Sequence, residues 1–148
     1  MEQEIRFCEV DGSRLAYATV GEGPPLVFAG RWVTHLEDEW DEPAARSFFE
    51  ELARTHRVIR YDRVGAGLSD RTPAAPPTLD SQGRELAAVL AASCDEPATL
   101  FACSCGCLAT ARFASVLPER VRRVVFFGGY AYPSEASMRC SAIQTFSS

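Results

Sequence analysis

The stretch Leu100-Phe101-Ala102-Cys103-Ser104-Cys105-Gly106-Cys107 constrains this chain more than any other. Ala98 to Cys103 reads as a buried strand. Gly106 to Leu117 is rich in small residues at helical spacing (Ala109, Ala111, Ala114), with Pro118 just past its end. Ser104 therefore falls on a sharp turn between a buried strand and a helix. That context suits a G-x-S-x-G nucleophile elbow with alanine at the first glycine position. Such a turn lifts the serine oxygen above the sheet and leaves helix N–H groups free for an anion. The competing reading of the same pentapeptide is an ordinary strand-to-helix turn with a capping serine.

The rest of the chain says what sheet this turn belongs to. Ile5–Val10 and Arg14–Val20 are β-prone and flank Asp11-Gly12, a two-residue hairpin signal. Leu26–Ala29 is a second apolar run, ended by Gly30. Residues 31–41, with Trp32 and Trp40, show no clear period and are expected to form a long loop. Pro43 with Ala45, Phe48, Phe49 and Leu52 predicts a helix, and His56–Tyr61 a strand. Residues 62–78 read as a glycine-containing turn and a Pro/Ala-rich loop, 79–93 as a helix, and Val121–Phe127 as a last apolar strand. The order predicts an α/β fold: an N-terminal β-hairpin followed by a mostly parallel sheet with helices on both faces. Residues 1–131 are expected to form the core and 132–148 an irregular tail.

Composition excludes several classes of function. The net charge of -5 is spread through both signs, without a basic stripe, so nucleic acid is not an expected partner. No run of about 18 apolar residues could cross a membrane. The polar N-terminus lacks the plan of a signal peptide, which places the chain in the cytoplasm. Six cysteines in that setting are expected as thiols. Cys103, Cys105 and Cys107 alternate around Ser104, but C-x-C-x-C lacks the paired spacing of zinc sites. Cysteine here is read as a small apolar residue where space is tight. No metal or organic cofactor is implied.

Four ordered stretches carry a resemblance to a known family. They are Gly23-Pro24-Pro25-Leu26-Val27-Phe28, Trp32-Val33-Thr34-His35-Leu36-Glu37, Tyr61-Asp62-Arg63-Val64-Gly65-Ala66-Gly67-Leu68-Ser69-Asp70-Arg71, and the Ser104 elbow followed by Leu117-Pro118-Glu119-Arg120-Val121-Arg122. Over about residues 5–131 the chain resembles the α/β-hydrolase superfamily, in particular members associated with nucleotide cyclase or transcription-regulator modules. The resemblance implies the N-terminal part of that fold, with the last strands and substrate cap missing. It implies Ser104 as nucleophile, acting on an ester or other small-molecule substrate. It gives the oxyanion hole to the backbone N–H of Cys105 and to that of Arg31 or Trp32. Asp62 is then a turn-holding residue and not the triad acid. A dinucleotide fingerprint at Gly65-Ala66-Gly67 fails, because Asp70 stands where the third glycine would be.

In that family the triad runs serine, acid, histidine along the chain. The two histidines here, His35 and His56, both precede Ser104. His35 lies in the loop near the oxyanion candidates, whereas His56 begins a strand at the far end from the elbow. Glu119 and Glu135 follow the serine, but neither makes a convincing triad acid. The expectation is therefore a truncated hydrolase, inactive alone, with the alternative of a non-catalytic ligand-binding or sensing module. Val121–Phe127 would then be an exposed sheet edge, open to self-association.

Overall fold

A computed structural model describes residues 1–129 apart from Trp32 and Ala74. The region called an irregular tail, 132–148, lies outside the described residues, as do Trp32 and Glu135. The chain opens with β1 (Glu4–Val10) and β2 (Ser13–Val20), paired antiparallel in register Val10↔Ser13 through Glu4↔Thr19. Asp11 and Gly12 adopt φ of 50° and 77°, the left-handed pair that a tight two-residue hairpin needs.

Four parallel strands follow: β3 (Pro25–Ala29), β4 (Arg57–Tyr61), β5 (Ala98–Cys103) and β6 (Val121–Phe127). The sheet order is β1-β2-β4-β3-β5-β6, with β2 antiparallel to β4. Between the strands lie α1 (Leu36–Asp41), α2 (Pro43–Ala53), α3 (Leu79–Ser93) and α4 (Gly106–Val116). This is the expected mostly parallel sheet, with helices on both faces.

Burial explains the assignment of each face. Val27, Ile59 and Leu100 pack with Leu86, Val89 and Leu90 of α3 and Phe113 of α4. On the other face Leu26, Phe28 and Val58 pack against Phe49 and Ala53 of α2. Alternate residues of one strand thus enter two different cores, which is why β3 and β4 read as unbroken apolar runs. The hairpin strand β2 is also covered twice. Leu15 and Tyr17 join the α3 side, while Ala16 and Ala18 pack with Leu36 of α1.

The structure corrects one element. Residues 31–41 were expected as a loop, yet Leu36–Asp41 is a helix. His35 caps it, its Nδ1 accepting from the Asp38 N–H at 3.3 Å, and three acidic residues occupy the first turn. Leu36 and Trp40 are its buried residues. Six residues are too short for the periodicity that reveals an amphipathic helix. α3 was placed correctly, and its start is fixed by a reciprocal capping box between Thr78 and Ser81.

Three arginines and two glutamates lie buried or half-buried beside the apolar core. Arg60 is 1% exposed and donates to Glu39 at 2.9 Å and to Gln3, with its guanidinium 4.2 Å from the Phe49 ring centre. Arg31 is paired with the same Glu39. This cluster ties β4 to α1 and to the N-terminal strand. On the opposite face Arg63 Nε and Glu85 Oε2 stand 3.8 Å apart, both buried and neither with a hydrogen-bond partner among the described residues. Desolvation pushes Glu85 up to about 7, against the opposing pull of Arg63.

A carboxyl whose folded pKa is raised contributes its full stability below the unfolded value and loses it as pH climbs through the folded one. Through Glu85 the chain therefore loses stability as pH rises from about 4.5 to about 7. Glu85→Gln is expected to abolish that loss, so that its stability relative to the parent chain rises between pH 5 and pH 8.5. Urea unfolding of both chains at pH 5 and pH 8.5 checks this, and an equal difference at both values would refute it.

Candidate active site

β5 ends at Cys103 and α4 begins at Gly106, leaving Ser104 and Cys105 to reverse the chain. Ser104 sits at φ 50°, a left-handed conformation costing a non-glycine residue about 1–2 kcal/mol. Among the described residues the only other non-glycine with positive φ is hairpin residue Asp11. Two backbone bonds hold Ser104 there. Its N–H donates to the Phe127 carbonyl at 3.2 Å, and its carbonyl accepts from the Cys107 N–H at 3.2 Å. The residue is exposed, and its hydroxyl has no hydrogen-bond partner among the described residues. Cys105 occupies the cap position of α4 without a side-chain capping bond. Ser104 is thus not a capping serine, and the first N–H groups of α4 are not taken by a side-chain cap.

The two glycines beside the turn are there for contact. A Cβ on Gly106 would lie 2.1 Å from the carbonyl oxygen of Gly30, and one on Gly30 would lie 2.8 Å from the Gly106 Cα. The end of β3 and the start of α4 therefore touch backbone to backbone. Gly30, at φ 63°, also donates its N–H to the Tyr61 hydroxyl at 3.0 Å. Burial pushes Tyr61 up to about 12, so this phenol keeps its proton. From sequence, Gly30 reads only as a strand terminator. The signal for its second role was the pairing of a glycine after β3 with the last glycine of the elbow.

This contact brings Arg31 beside the elbow, since Arg31 directly follows Gly30. The Arg31 side chain is engaged elsewhere, paired with Glu39 and about 6 Å from the ring centres of Phe28 and Phe49. Trp32, the other oxyanion candidate, lies outside the described residues.

Asp62 holds its turn as expected. One carboxylate oxygen accepts from the Leu68 N–H at 2.9 Å and from the Leu36 N–H at 3.2 Å. A Cβ on Gly67 would meet that oxygen at 2.0 Å, so Asp62 sets the need for glycine there. The Asp62 carbonyl accepts from Ser69 Oγ at 2.6 Å, and Ser69 accepts from the Ala16 N–H at 2.9 Å.

Neither histidine is joined to Ser104. His35 is the cap of α1. His56 precedes β4, at the opposite end of the parallel strands, with Nδ1 2.9 Å from Thr55 Oγ1. Glu119 lies in a 3-10 turn leading into β6, again at the end remote from the serine. Cys107 is buried, and its Sγ donates to the Ala102 carbonyl at 3.4 Å. Burial pushes its thiol up, and Cys103 and Cys105 push it the same way. It behaves as core, as expected of a cysteine in a tight turn. Among the described residues no group of three or more His, Cys, Asp or Glu side chains is placed to hold a metal ion. None of the described helices is long and apolar enough to cross a membrane.

Two substitutions test this geometry. Ser104→Gly relieves the left-handed strain and is expected to stabilise the chain by about 0.5–1 kcal/mol. Gly106→Ala drives a methyl into the Gly30 carbonyl and is expected to cost about 2–4 kcal/mol. Denaturant midpoints give both values, and a destabilised Ser104→Gly would contradict a strained elbow.

Comparison with known proteins agrees with the fold. A family model described as the alpha/beta hydrolase fold matches residues 35–142. RutD of Azorhizobium caulinodans, named provisionally as a carbamate hydrolase, is 32% identical over 137 residues, 88% of this chain and 46% of that protein. The cis-3-alkyl-4-alkyloxetan-2-one decarboxylase of Shewanella oneidensis is 29% identical over 129 residues, 85% of this chain and 39% of the relative. Among solved structures, an alpha/beta hydrolase fold protein from Burkholderia ambifaria superposes with a TM-score of 0.73 at 27% identity, covering 91% of this chain and 48% of the other. The esterase RhEst1 from Rhodococcus gives 0.71 at 29% identity, covering 84% and 46%. The chain thus spans less than half the length of these relatives. A family model over most of the chain, the sheet order and the strained serine turn lead to one conclusion: the chain belongs to the α/β-hydrolase fold family.

Proposed function

We propose that this chain carries the nucleophile half of a serine hydrolase acting on an ester or another small-molecule acyl substrate. Ser104 is the nucleophile. The N–H groups of Cys105 and of Arg31 or Trp32 receive the oxyanion. The observation that carries this reading is the exposed Ser104 held at φ 50° at the head of α4, its hydroxyl unpartnered among the described residues. The carbamate hydrolysis and esterase activity in the relatives' names support it, because both reactions attack a carbonyl carbon with an oxygen nucleophile.

A serine hydroxyl needs a base to become nucleophilic. No histidine follows Ser104, His35 is occupied at a helix cap, and His56 stands at the other end of the strands. The 148 residues alone therefore hold an incomplete triad and are inactive by themselves. The same lack of a histidine favours the second reading, a scaffold that binds or senses a small molecule without turning it over.

Added imidazole separates the two. With a nitrophenyl ester and no imidazole, the chain and Ser104→Ala are expected to share the background rate. With imidazole standing in for the absent base, the parent chain is expected to exceed Ser104→Ala several-fold, because oxyanion donors retain part of the catalysis when a triad member is lost. Equal rates with imidazole would leave the binding reading. Ser104-dependent turnover without imidazole would show that the chain already holds a base.

A further inference from the structure

Tyr61 ends β4 and is 3% exposed, so it carries a phenol hydroxyl into the apolar interior. It packs on the α3 face of the sheet with Ile59 of its own strand and with Val27 and Ala29 of β3. The ladder between β3 and β4 runs from Pro25↔Arg57 to Phe28↔Arg60 and stops there. On its other side β3 pairs with β5 only as far as Ala29↔Ala102. Gly30 then leaves the sheet at φ 63°, and its N–H has no ladder partner in either neighbouring strand. Gly30 is buried, so that donor needs an acceptor from elsewhere. The Tyr61 hydroxyl supplies it at 3.0 Å.

The same corner of β4 grips the following loop at two more points. The Tyr61 carbonyl accepts from Thr34 Oγ1 at 3.4 Å, and the carboxylate of Asp62 accepts from the Leu36 N–H at 3.2 Å. Arg31 falls between the first two ties. Gly30 is also confined at its carbonyl, whose oxygen would lie 2.1 Å from a Cβ on Gly106. A trans peptide holds the Gly30 carbonyl and the Arg31 N–H in one plane. With Gly30 fixed at both its N–H and its carbonyl, the direction of the Arg31 N–H is set before any substrate arrives. Oxyanion donors act through such preorganisation, and small displacements of them are costly. Tyr61 is itself anchored, since it pairs in register with Tyr17 and the Asp62 N–H donates to the Ala16 carbonyl at 3.0 Å.

We propose that Tyr61 is a positioning residue for the reaction assigned to Ser104: its hydroxyl holds Gly30 and thereby aims the Arg31 N–H at the oxyanion. The proposal rests on the serine-hydrolase reading given above, and the experiment keeps the two apart.

Tyr61→Phe removes the acceptor and keeps the ring. Ser69→Ala is the matched control, because it strands the Ala16 N–H, a buried donor outside this loop. Both are compared in imidazole-assisted hydrolysis of a nitrophenyl ester, with the parent chain and Ser104→Ala as upper and lower limits. Tyr61→Phe is expected to fall to the Ser104→Ala rate with KM unchanged, and Ser69→Ala to keep the parent rate. Amide hydrogen exchange followed by NMR gives a readout besides activity. The Gly30 amide is expected to be protected in the parent and to exchange about tenfold faster or more in Tyr61→Phe, with the amides of β4 and α3 unchanged. A Gly30 amide that exchanges in the parent as fast as an exposed one would overturn the proposal without any variant. A Tyr61→Phe chain with the parent rate would overturn it too, as would an equal loss in Ser69→Ala. A parent chain no faster than Ser104→Ala would defeat the serine-hydrolase reading and the positioning role with it. That comparison leaves Tyr61 intact, so the two failures are distinct.

Discussion

The backbone contact between Gly30 and Gly106 is the constraint on which the site depends. With a Cβ from either residue excluded, the end of β3 and the start of α4 meet closely enough to set Arg31 beside the Ser104 turn. The elbow is then squeezed from both sides, by β3 at Gly106 and by the Phe127 carbonyl at Ser104. A serine in a left-handed conformation is unfavourable in isolation. It persists here because both neighbours of the turn are fixed by strands of one sheet. Local strain and global sheet order are thus two aspects of one arrangement.

Asp62 does for the other loops what the glycine pair does for the elbow. Its carboxylate gathers the N–H groups of Leu36 and Leu68, which belong to segments on either side of it in the chain. Through Ser69 it also reaches β2. The result docks α1 on the hairpin through Leu36, and α1 in turn supplies Glu39 to Arg60 and Arg31. Charged groups in this core are organised in chains, each buried cation near a carboxylate, as their desolvation requires. The Arg63–Glu85 pair satisfies that requirement least well, since its 3.8 Å separation is too long for a hydrogen bond and leaves the carboxyl raised.

The legibility of the site varied with the range of the forces that make it. The strand–Ser104–helix turn was readable because its parts are contiguous: an apolar run, a small-residue turn and a helical repeat. The glycine-containing turn that starts at Asp62 was readable from Gly65 and Gly67, whereas the turn-holding role of Asp62 came from the family resemblance. The helix at Leu36–Asp41 was missed because a single turn and a half carries no period, and its cap, His35, also belongs to a residue type that draws attention as a catalytic base. Trp40 looked like a loop tryptophan until packing buried it beside Arg46 and Arg60.

By itself the sequence determined the class of fold, the places of the six strands and three of the four helices, and the position of the serine turn, because these follow from local pattern and from glycine and proline chemistry. It also determined that no histidine follows Ser104. Only the tertiary structure decided which glycine needs which neighbour, that His35 is spent on a helix cap, and that Arg60 is buried among aromatic rings. Those outcomes rest on contacts between segments distant in the chain, where distance and desolvation, rather than residue type, set what each side chain does.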